Sequence, residues 1–502
     1  MLLSELLENI SAYRLLGEED VEISGICPDS RRIKAGEIYI SVDGMKSDGH
    51  KYVNEAFSKG AVAAVVSSSA ISDGRIDVRN PQGIIVVVED TREAMARLYS
   101  RFYSDSHKKI KFVGVTGTNG KTSVCRMLYE ILTYAGHSCG IIGTTGALTQ
   151  KGKIDVRAAD PEANMTTPDP EELYKIIDIM AHEGVEYCIM EVTSHALALK
   201  KVEPLKFELG IFTNLSEDHL DFHSDMEEYF LAKKKMFSSC EKALINCDDR
   251  YGRRLAESID IPVYTCSSEG RSSDYSAVDI SQKGDKGIEY KLSSSKLRLR
   301  VSSRMIGDFN VKNTMQAAIG AHLLGVEACE IRAALADFAG VDGRLQKLKS
   351  LGRADFSVYI DYAHTPDALE KLILTARNFA NKGQRIVLLF GCGGDREKQK
   401  RAIMGNIATS IADFVIITSD NSRSEKTADI IRDILSGIKN DACYTVIEDR
   451  RNAIEYAIKN ARRGDIILLA GKGHEEYEID ALGKKSFSER LLVEELMKKY
   501  YC

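Results

Sequence analysis

Basic surplus, long apolar runs, paired cysteines and internal repeats are all missing from this chain of 502 residues, and each absence closes off a class of function. Lysine and arginine number 68 against 74 aspartates and glutamates, a net charge of −6. With no excess of cations to neutralise phosphates along a strand, a general nucleic-acid coater is excluded. The longest wholly apolar runs, such as Ile386–Phe390 and Ile466–Ala470, hold a few residues each. A membrane-crossing helix needs about 20, so no membrane segment is expected. The opening residues lack a basic lead-in, so no secretory signal is expected either. The 11 cysteines form no Cys-x-x-Cys pair and no framework spacing. An odd, scattered count reads as free thiols in a reducing compartment, which points to the cytoplasm.

What is present is globular material: 44% of residues are apolar and 28% charged. That is enough for several cores and excludes a disordered scaffold. At about 150 residues per domain, the length suits about three domains. Short β-branched runs (GAVAAVV, KFVGVTG, EYCIMEV, LGIFTNL, QRIVLLFG, DFVIITSD, DIILLAGKG) alternate with amphipathic stretches of helical length. This pattern predicts an α/β fold with parallel sheets covered on both faces. One boundary is placed in the polar stretch SDSHKK before Lys109 and another near Gly340, giving divisions at 1–108, 109–340 and 341–502. The polar stretch 267–296 reads as a surface β excursion.

Residues 110–126, IKFVGVTGTNGKTSVCR, run from a strand through a glycine loop into a helix predicted from Ser123. Glycines 117 and 120 allow backbone N–H groups to face a polyphosphate. Lys121 supplies a cation and Thr122 a hydroxyl for Mg²⁺. Val115 stands where the usual nucleotide loop has its first glycine. Two further strand ends, Glu191-Val-Thr-Ser-His195 and 216–223 (SEDHLDFH), bring carboxylate and imidazole to a sheet edge. Glu191 and His219 are candidate Mg²⁺ or Mn²⁺ ligands, although either alone suits a helix cap.

The segment 225–238, DMEEYFLAKKKMFS, has a helical apolar stripe of Met226, Tyr229, Phe230, Met236 and Phe237, and Lys233 occupies the position in line with it. Two readings stay open. The stem can lie buried with its ammonium wet, or the amine can be desolvated, lose its charge and take up CO₂ as a carbamate. Four later strand ends, DYAHTPDAL, GCGGDREKQKR, SDNSRSE and GKGHEEYE, gather glycines, arginines and carboxylates. Arg396 and Arg423 suit a small carboxylate and Glu475 an ammonium, the two ends of an amino acid.

In order and nearly end to end, these segments resemble the Mur ligase family. TGTNGKTS resembles its ATP loop, which implies Gly117, Thr118, Asn119, Gly120, Lys121, Thr122 and Ser123 as ATP contacts. DFNVKN, GRLQ and DYAHTPDAL are similar to segments around a domain junction, which implies Asn310 and Asn313 at ATP and Arg344, Asp361 and His364 in catalysis beside Lys121, His219 and Lys233. MEVTSHAL, FTNLSEDHLDFH and AKKKMF look like its metal segments. They imply two Mg²⁺ sites held by Thr122, Glu191, His219 and Lys233 as its carbamate. TTPDP resembles the loop holding a muramoyl-dipeptide, implying Thr166 and Thr167, with Thr193 and Lys201. The stretch from ISGICPDSRR to DGHKYV looks like a UDP-binding domain with contacts at Ser30, Met45, Lys46 and Ser47. DNSR (Asp420, Asn421, Ser422, Arg423) resembles the DNPR motif for meso-diaminopimelate, and Arg396, Gly471 and Glu475 match its companions.

The resemblance implies an N-terminal UDP-sugar-binding α/β domain, a central P-loop-type ATP domain with a mostly parallel sheet, and a C-terminal Rossmann-like amino-acid domain. It implies an ATP-dependent amide ligase of peptidoglycan precursor synthesis, adding meso-diaminopimelate to UDP-N-acetylmuramoyl-L-alanyl-D-glutamate through an acyl phosphate. A cytoplasmic monomer without nucleic-acid or membrane partners is expected. The alternatives are L-lysine as the added residue, or a diverged relative with another acceptor. Three departures bear on this: Ser422 replaces a proline, Lys201 an arginine and Gln346 a glutamate. The first loosens the backbone that aims Arg423, and the second forfeits a bidentate fork.

Overall fold

The computed structural model describes every residue except 18–19, 45–46, 77–81, 157–164, 219–221, 350–351 and 440–441. The chain forms two compact units, one of Met1–Gly114, Ser138–Glu208 and Ser238–Glu241, the other of Val115–His137, Leu209–Phe237 and Lys242–Cys502.

In the first unit, strands Gly25–Cys27, Glu37–Ile40, Ala63–Ser67 and Ile84–Val88 run parallel in that spatial order, with Arg14–Leu16 antiparallel at the edge. Ala63–Ser67 and Ile84–Val88 are buried throughout. Burial on both faces is why they read as unbroken apolar runs instead of alternating ones. Tyr187–Glu191 pairs in parallel with Cys139–Gly143, which continues antiparallel into Gly146–Thr149 and Gly152–Ile154. The polar stretch before Lys109 is packed. Ser106–Lys109 is a 3₁₀ turn in which Ser106 Oγ donates to Asp178 at 2.6 Å and His107 is buried against Tyr174.

In the second unit, the end of strand Phe207–Phe212 (from Leu209), Ala243–Asn246, Val263–Ser267 and Tyr275–Gln282 follow one another in parallel, and Ile288–Ser293 and Arg298–Ser303 add antiparallel. The predicted excursion is therefore the growing edge of this sheet. Further on, five parallel strands are ordered Ser357–Asp361, Ile466–Ala470, Ile386–Phe390, Phe414–Ile417 and Tyr444–Val446, with Gln346–Lys347 antiparallel at the edge. Leu369, Met404 and Ile434 pack on one face of this sheet. Ile454, Val493 and Leu496 pack on the other. The last parallel strand thus inserts between the first two, and ligands bind at such a switch in strand order, beyond the carboxyl ends. All eleven cysteines are free.

Candidate active site

The strand Lys111–Thr116 delivers the phosphate loop, and the helix Lys121–Tyr134 begins at Lys121, two residues earlier than the sequence predicts. Gly117 (φ +145°) and Gly120 (φ +88°) cap the turn. A side chain at Gly117 would collide with Thr213 Oγ1, and a Cβ at Gly120 would stand 2.5 Å from Asn313 Oδ1. Thr118 N–H donates to Asn214 O (2.9 Å), and Asn119 N–H to Asn214 Oδ1 (3.0 Å). Lys121 Nζ donates to the carbonyls of Gly117 and Thr118 at 3.0 and 2.8 Å, folding back over its own loop. Thr122 and Ser123 are buried in the first helical turn.

Lys233 lies on the helix Met226–Lys234, which Asp225 caps by accepting from the N–H groups of Glu227 and Glu228. The side chain is 1% exposed, so the reading with a wet ammonium is wrong. Nζ donates to Gly117 O at 2.9 Å and lies 4.6 Å from the centre of the Tyr229 ring. Burial first, and Lys121 second, hold this amine well below the ordinary lysine range, against the pull of Asp218. The ring and carbonyl suit a cation, but burial outweighs them because they cannot replace a hydration shell.

Residues from beyond position 340 reach the same loop. Arg344 Nη2 donates to Thr122 Oγ1 at 3.1 Å, with its guanidinium over the Tyr362 ring. Asp361 accepts from the N–H groups of Leu345 and Ala363 (2.6 and 2.7 Å), and burial raises its carboxyl above the ordinary range against those bonds and Arg344. His364 Nδ1 lies 2.8 Å from Tyr362 O, and burial, helped by Lys400, lowers the imidazole. Asn310 Nδ2 donates to Ile306 O and Asn313 Nδ2 to Asn310 Oδ1. A cavity of about 350 Å³ is lined by Asn310, Ile306, Val341, Arg344 and Lys347.

At the strand ends of the later sheet, Arg423 (φ +50°) donates from Nη1 to Gly394 O at 2.8 Å. Burial and then the neighbouring Arg396 lower its affinity for its proton, with Asp420 and Glu475 opposing. Two guanidinium groups set this close favour an anion between them. Asn421 Nδ2 donates to Glu475 Oε2 at 2.8 Å, and the buried Lys472 donates to Asn421 Oδ1 at 2.9 Å. Lys472 Nζ stands 3.7 Å from Asp420 and 3.9 Å from Glu475. Burial and Asp420 raise the Glu475 carboxyl, whereas Lys472 and Arg450 keep Asp420 low despite burial. Gly471 passes so near Asp420 that a Cβ there would lie 2.7 Å from Oδ2. Ser422 is buried in the turn before Arg423.

In the first unit, Glu191 ends its strand buried, its two oxygens accepting from Thr144 N–H (2.8 Å) and Thr144 Oγ1 (3.1 Å). Thr167 Oγ1 donates to Glu191 O and lies 3.3 Å from Thr193 Oγ1, while Thr166 Oγ1 meets Thr144 Oγ1 at 3.1 Å. Lys201 is buried and pairs with Asp169 at 2.8 Å. The structure thus links Thr166, through Thr144, and Thr193, through Thr167, to the end of the strand at Glu191. Ser30 O accepts from Lys59 Nζ, and Ser47 Oγ meets Tyr52 OH at 2.9 Å. Met45, Lys46 and His219 fall outside the described residues. Among the described residues no three His, Cys, Asp or Glu side chains form a metal-holding group.

Residues 22–103 match the Mur ligase family catalytic domain, 115–321 the Mur ligase middle domain, and 343–473 the Mur ligase glutamate ligase domain. The chain is 41% identical to UDP-N-acetylmuramoyl-L-alanyl-D-glutamate–2,6-diaminopimelate ligase of Caldanaerobacter subterraneus subsp. tengcongensis, over 99% of both chains. The chain belongs to the Mur ligase family. This Mur ligase is also 40% identical to the protein of the same name from Alkaliphilus oremlandii, again over 99% of each. Its fold superposes on a solved UDP-N-acetylmuramoyl-L-alanyl-D-glutamate–2,6-diaminopimelate ligase with a TM-score of 0.67 at 28% identity, covering 98% of both chains.

Three residues of this Mur ligase escaped sequence reasoning. Asp367 accepts from Asn119 Nδ2 at 2.8 Å and Ser216 Oγ at 3.2 Å, linking the helix Pro366–Phe379 to the phosphate loop. Asn214 clasps the loop backbone, and Lys472 is the buried cation among the acids. All three lie in or beside the quoted motifs, but nothing local assigns them partners.

Proposed function

We propose that this chain is an ATP-dependent ligase that joins meso-diaminopimelate to UDP-N-acetylmuramoyl-L-alanyl-D-glutamate. The observation that carries this reading is its 41% identity, end to end, to a ligase named for that acceptor and 2,6-diaminopimelate. The crevice supports it, because Arg396 and Arg423 suit a carboxylate while Glu475 and Asp420 suit an ammonium. Diaminopimelate carries both charges at the end remote from the reacting amine.

A carboxylate is a poor electrophile and must be activated first. The D-glutamyl carboxylate attacks the γ-phosphorus of ATP, ADP leaves, and an acyl phosphate forms. The amine then attacks the acyl carbon, loses a proton and expels phosphate. Lys121 exchanges its loop carbonyls for phosphate oxygens and neutralises their charge. Arg344 and His364 approach the phosphates from beyond position 340. The cavity beside Asn310 and Val341 accommodates the nucleoside.

The donors around the loop suit Mg²⁺, a hard cation that takes oxygen ligands. Thr122 would hold it with its hydroxyl and Lys233 with a carbamate oxygen. Glu191 and His219 join the set through the family likeness alone. When bound, Mg²⁺ supplies charge neutralisation for the phosphoryl oxygens. Lys233 suits carbamylation because burial holds its amine toward the neutral form. The nitrogen lone pair bonds to the carbon of CO₂, and one N–H proton leaves to solvent. The reading also includes three domains divided near 108 and 340, UDP contacts at Ser30 and Ser47, dipeptide contacts at Thr166, Thr167 and Lys201, and action as a cytoplasmic monomer.

A second reading, L-lysine as the added residue, is favoured by one observation: Ser422 replaces the proline of the aiming motif, and Arg423 spends Nη1 on Gly394 O. ADP formation with UDP-N-acetylmuramoyl-L-alanyl-D-glutamate, comparing meso-diaminopimelate, L-lysine and L-ornithine, separates the two. Diaminopimelate-dependent ADP release is expected, and equal or faster turnover with lysine overturns the first reading.

A further inference from the structure

Arg450 opens the helix Arg450–Lys459 with its side chain fully buried. Its guanidinium makes three directed contacts at once. Nε donates to Glu489 Oε1 at 2.8 Å, Nη1 to Ser419 O at 3.0 Å and Nη2 to Ala470 O at 2.8 Å. Ser419 immediately precedes Asp420, and Ala470 immediately precedes Gly471. Both carbonyls therefore belong to the backbone that presents the amino-acid crevice.

The two strands concerned, Phe414–Ile417 and Ile466–Ala470, are not neighbours, because Ile386–Phe390 pairs with each of them and lies between. No ladder hydrogen bond couples their ends. A planar, rigid fork of donors spans that gap, which a lysine with one mobile ammonium would not reproduce. Glu489, itself buried at the start of the helix Glu489–Tyr501, holds the fork from behind and balances its charge. The separation so fixed is tight, since a single added carbon at Gly471 would crowd Asp420 Oδ2 at 2.7 Å.

We propose that Arg450, oriented by Glu489, is a positioning residue for the incoming amino acid: it sets the spacing between Asp420 and Gly471 without touching substrate. The inference rests on the crevice being the amino-acid site, as argued above. A pair that merely fastened two helices to the sheet would lower the melting temperature when broken and leave relative affinities for the three substrates unchanged.

The test measures KM for amino acid, ATP and UDP-N-acetylmuramoyl-L-alanyl-D-glutamate in the unaltered protein, R450K and E489Q, with melting curves for each. The amino acid used is whichever of meso-diaminopimelate, L-lysine and L-ornithine the unaltered protein turns over best. We expect KM for the amino acid to rise about tenfold in R450K, and by less in E489Q, while the other two KM values stay within about twofold. If R450K does not fold, E489Q alone decides, since it keeps an acceptor for Nε at Oε1 while removing the charge and placing an amide NH2 where the unpartnered Oε2 stood. Equal changes in all three KM values, or a lower melting temperature with none, overturn the proposal. Steady-state ADP formation over many turnovers that is no faster with an amino acid than without one overturns the amino-acid reading and this one together, whereas amino-acid-dependent turnover with unshifted variants overturns this one alone.

Discussion

Lys233 donates from Nζ to the carbonyl oxygen of Gly117, 2.9 Å away, inside the protein and at the start of the phosphate loop. The amine thus ties down the turn at Gly117, and burial disfavours its charged form, which suits the carbamylation proposed above. An ordinary stabilising lysine would keep its charge in water.

Replacing Lys233 by Ala is expected to abolish ADP formation, and added bicarbonate is expected not to restore it. Near-normal turnover of the folded variant would rule out a role for the carbamate.

Lys233 also carries a cost in stability. Its folded pKa lies well below the ordinary value, so between that value and the unfolded pKa of about 10.4 the unfolded chain binds one more proton. Stability therefore rises with pH across that interval. In CO₂-free buffer K233M should melt higher than the unaltered protein at pH 7, and the difference should close as pH approaches 10. A constant difference across that range would contradict the desolvated amine.

Asp367 is expected to matter for ATP alone. D367A leaves Asn119 Nδ2 and Ser216 Oγ without their shared acceptor. Hydrogen bonds to a charged partner are worth about 1.5–3 kcal/mol, so KM for ATP should rise roughly tenfold while KM for the amino acid stays put. Initial-rate kinetics with each substrate varied in turn will decide it.

Arg423 is expected to set discrimination rather than turnover. R423A should lower the preference for diaminopimelate over lysine by about a hundredfold, the scale of a lost charge-assisted contact to a distal carboxylate. The ratio of kcat/KM for the two amino acids measures this directly.

Glu425 is held down to about 2 chiefly by Arg401, whose guanidinium it grips from both oxygens. A depressed carboxyl contributes stability above its unfolded pKa of about 4.3 and loses it as pH falls toward the folded value. With allowance for solvent, E425Q should cost about 1 kcal/mol at pH 7. The gap to the unaltered protein should vanish between pH 4 and 2, as chemical denaturation at each pH will reveal.

The parallel strands were legible because burial on both faces leaves nothing but apolar residues in them, as in Ile386–Phe390 and Ile466–Ala470. The phosphate loop was legible because glycines, Lys121 and Thr122 must be contiguous to serve a helix start. Lys233 was visible only as an anomaly: spacing put it on the apolar stripe, but whether the amine was wet depended on Gly117, 116 positions away. Asp367 reaches Asn119 across 248 positions, a pairing no local pattern encodes. At 106–109 the polar Ser106 and His107 face inward, satisfied by Asp178 and Ser100, partners that the local sequence does not indicate. His219, Met45 and Lys46 lie outside the described residues, so their roles stay with the family likeness.

The strand Ile466–Ala470 fills the gap between Ser357–Asp361 and Ile386–Phe390, although it follows them by some way in the chain. During synthesis, therefore, a nascent polypeptide that has reached only residue 465 holds two strands with their shared partner still to come. Both edges expose unpaired amides until then. Closure of this sheet must wait for a late, long-range insertion, which makes premature termination in this region a route to aggregation.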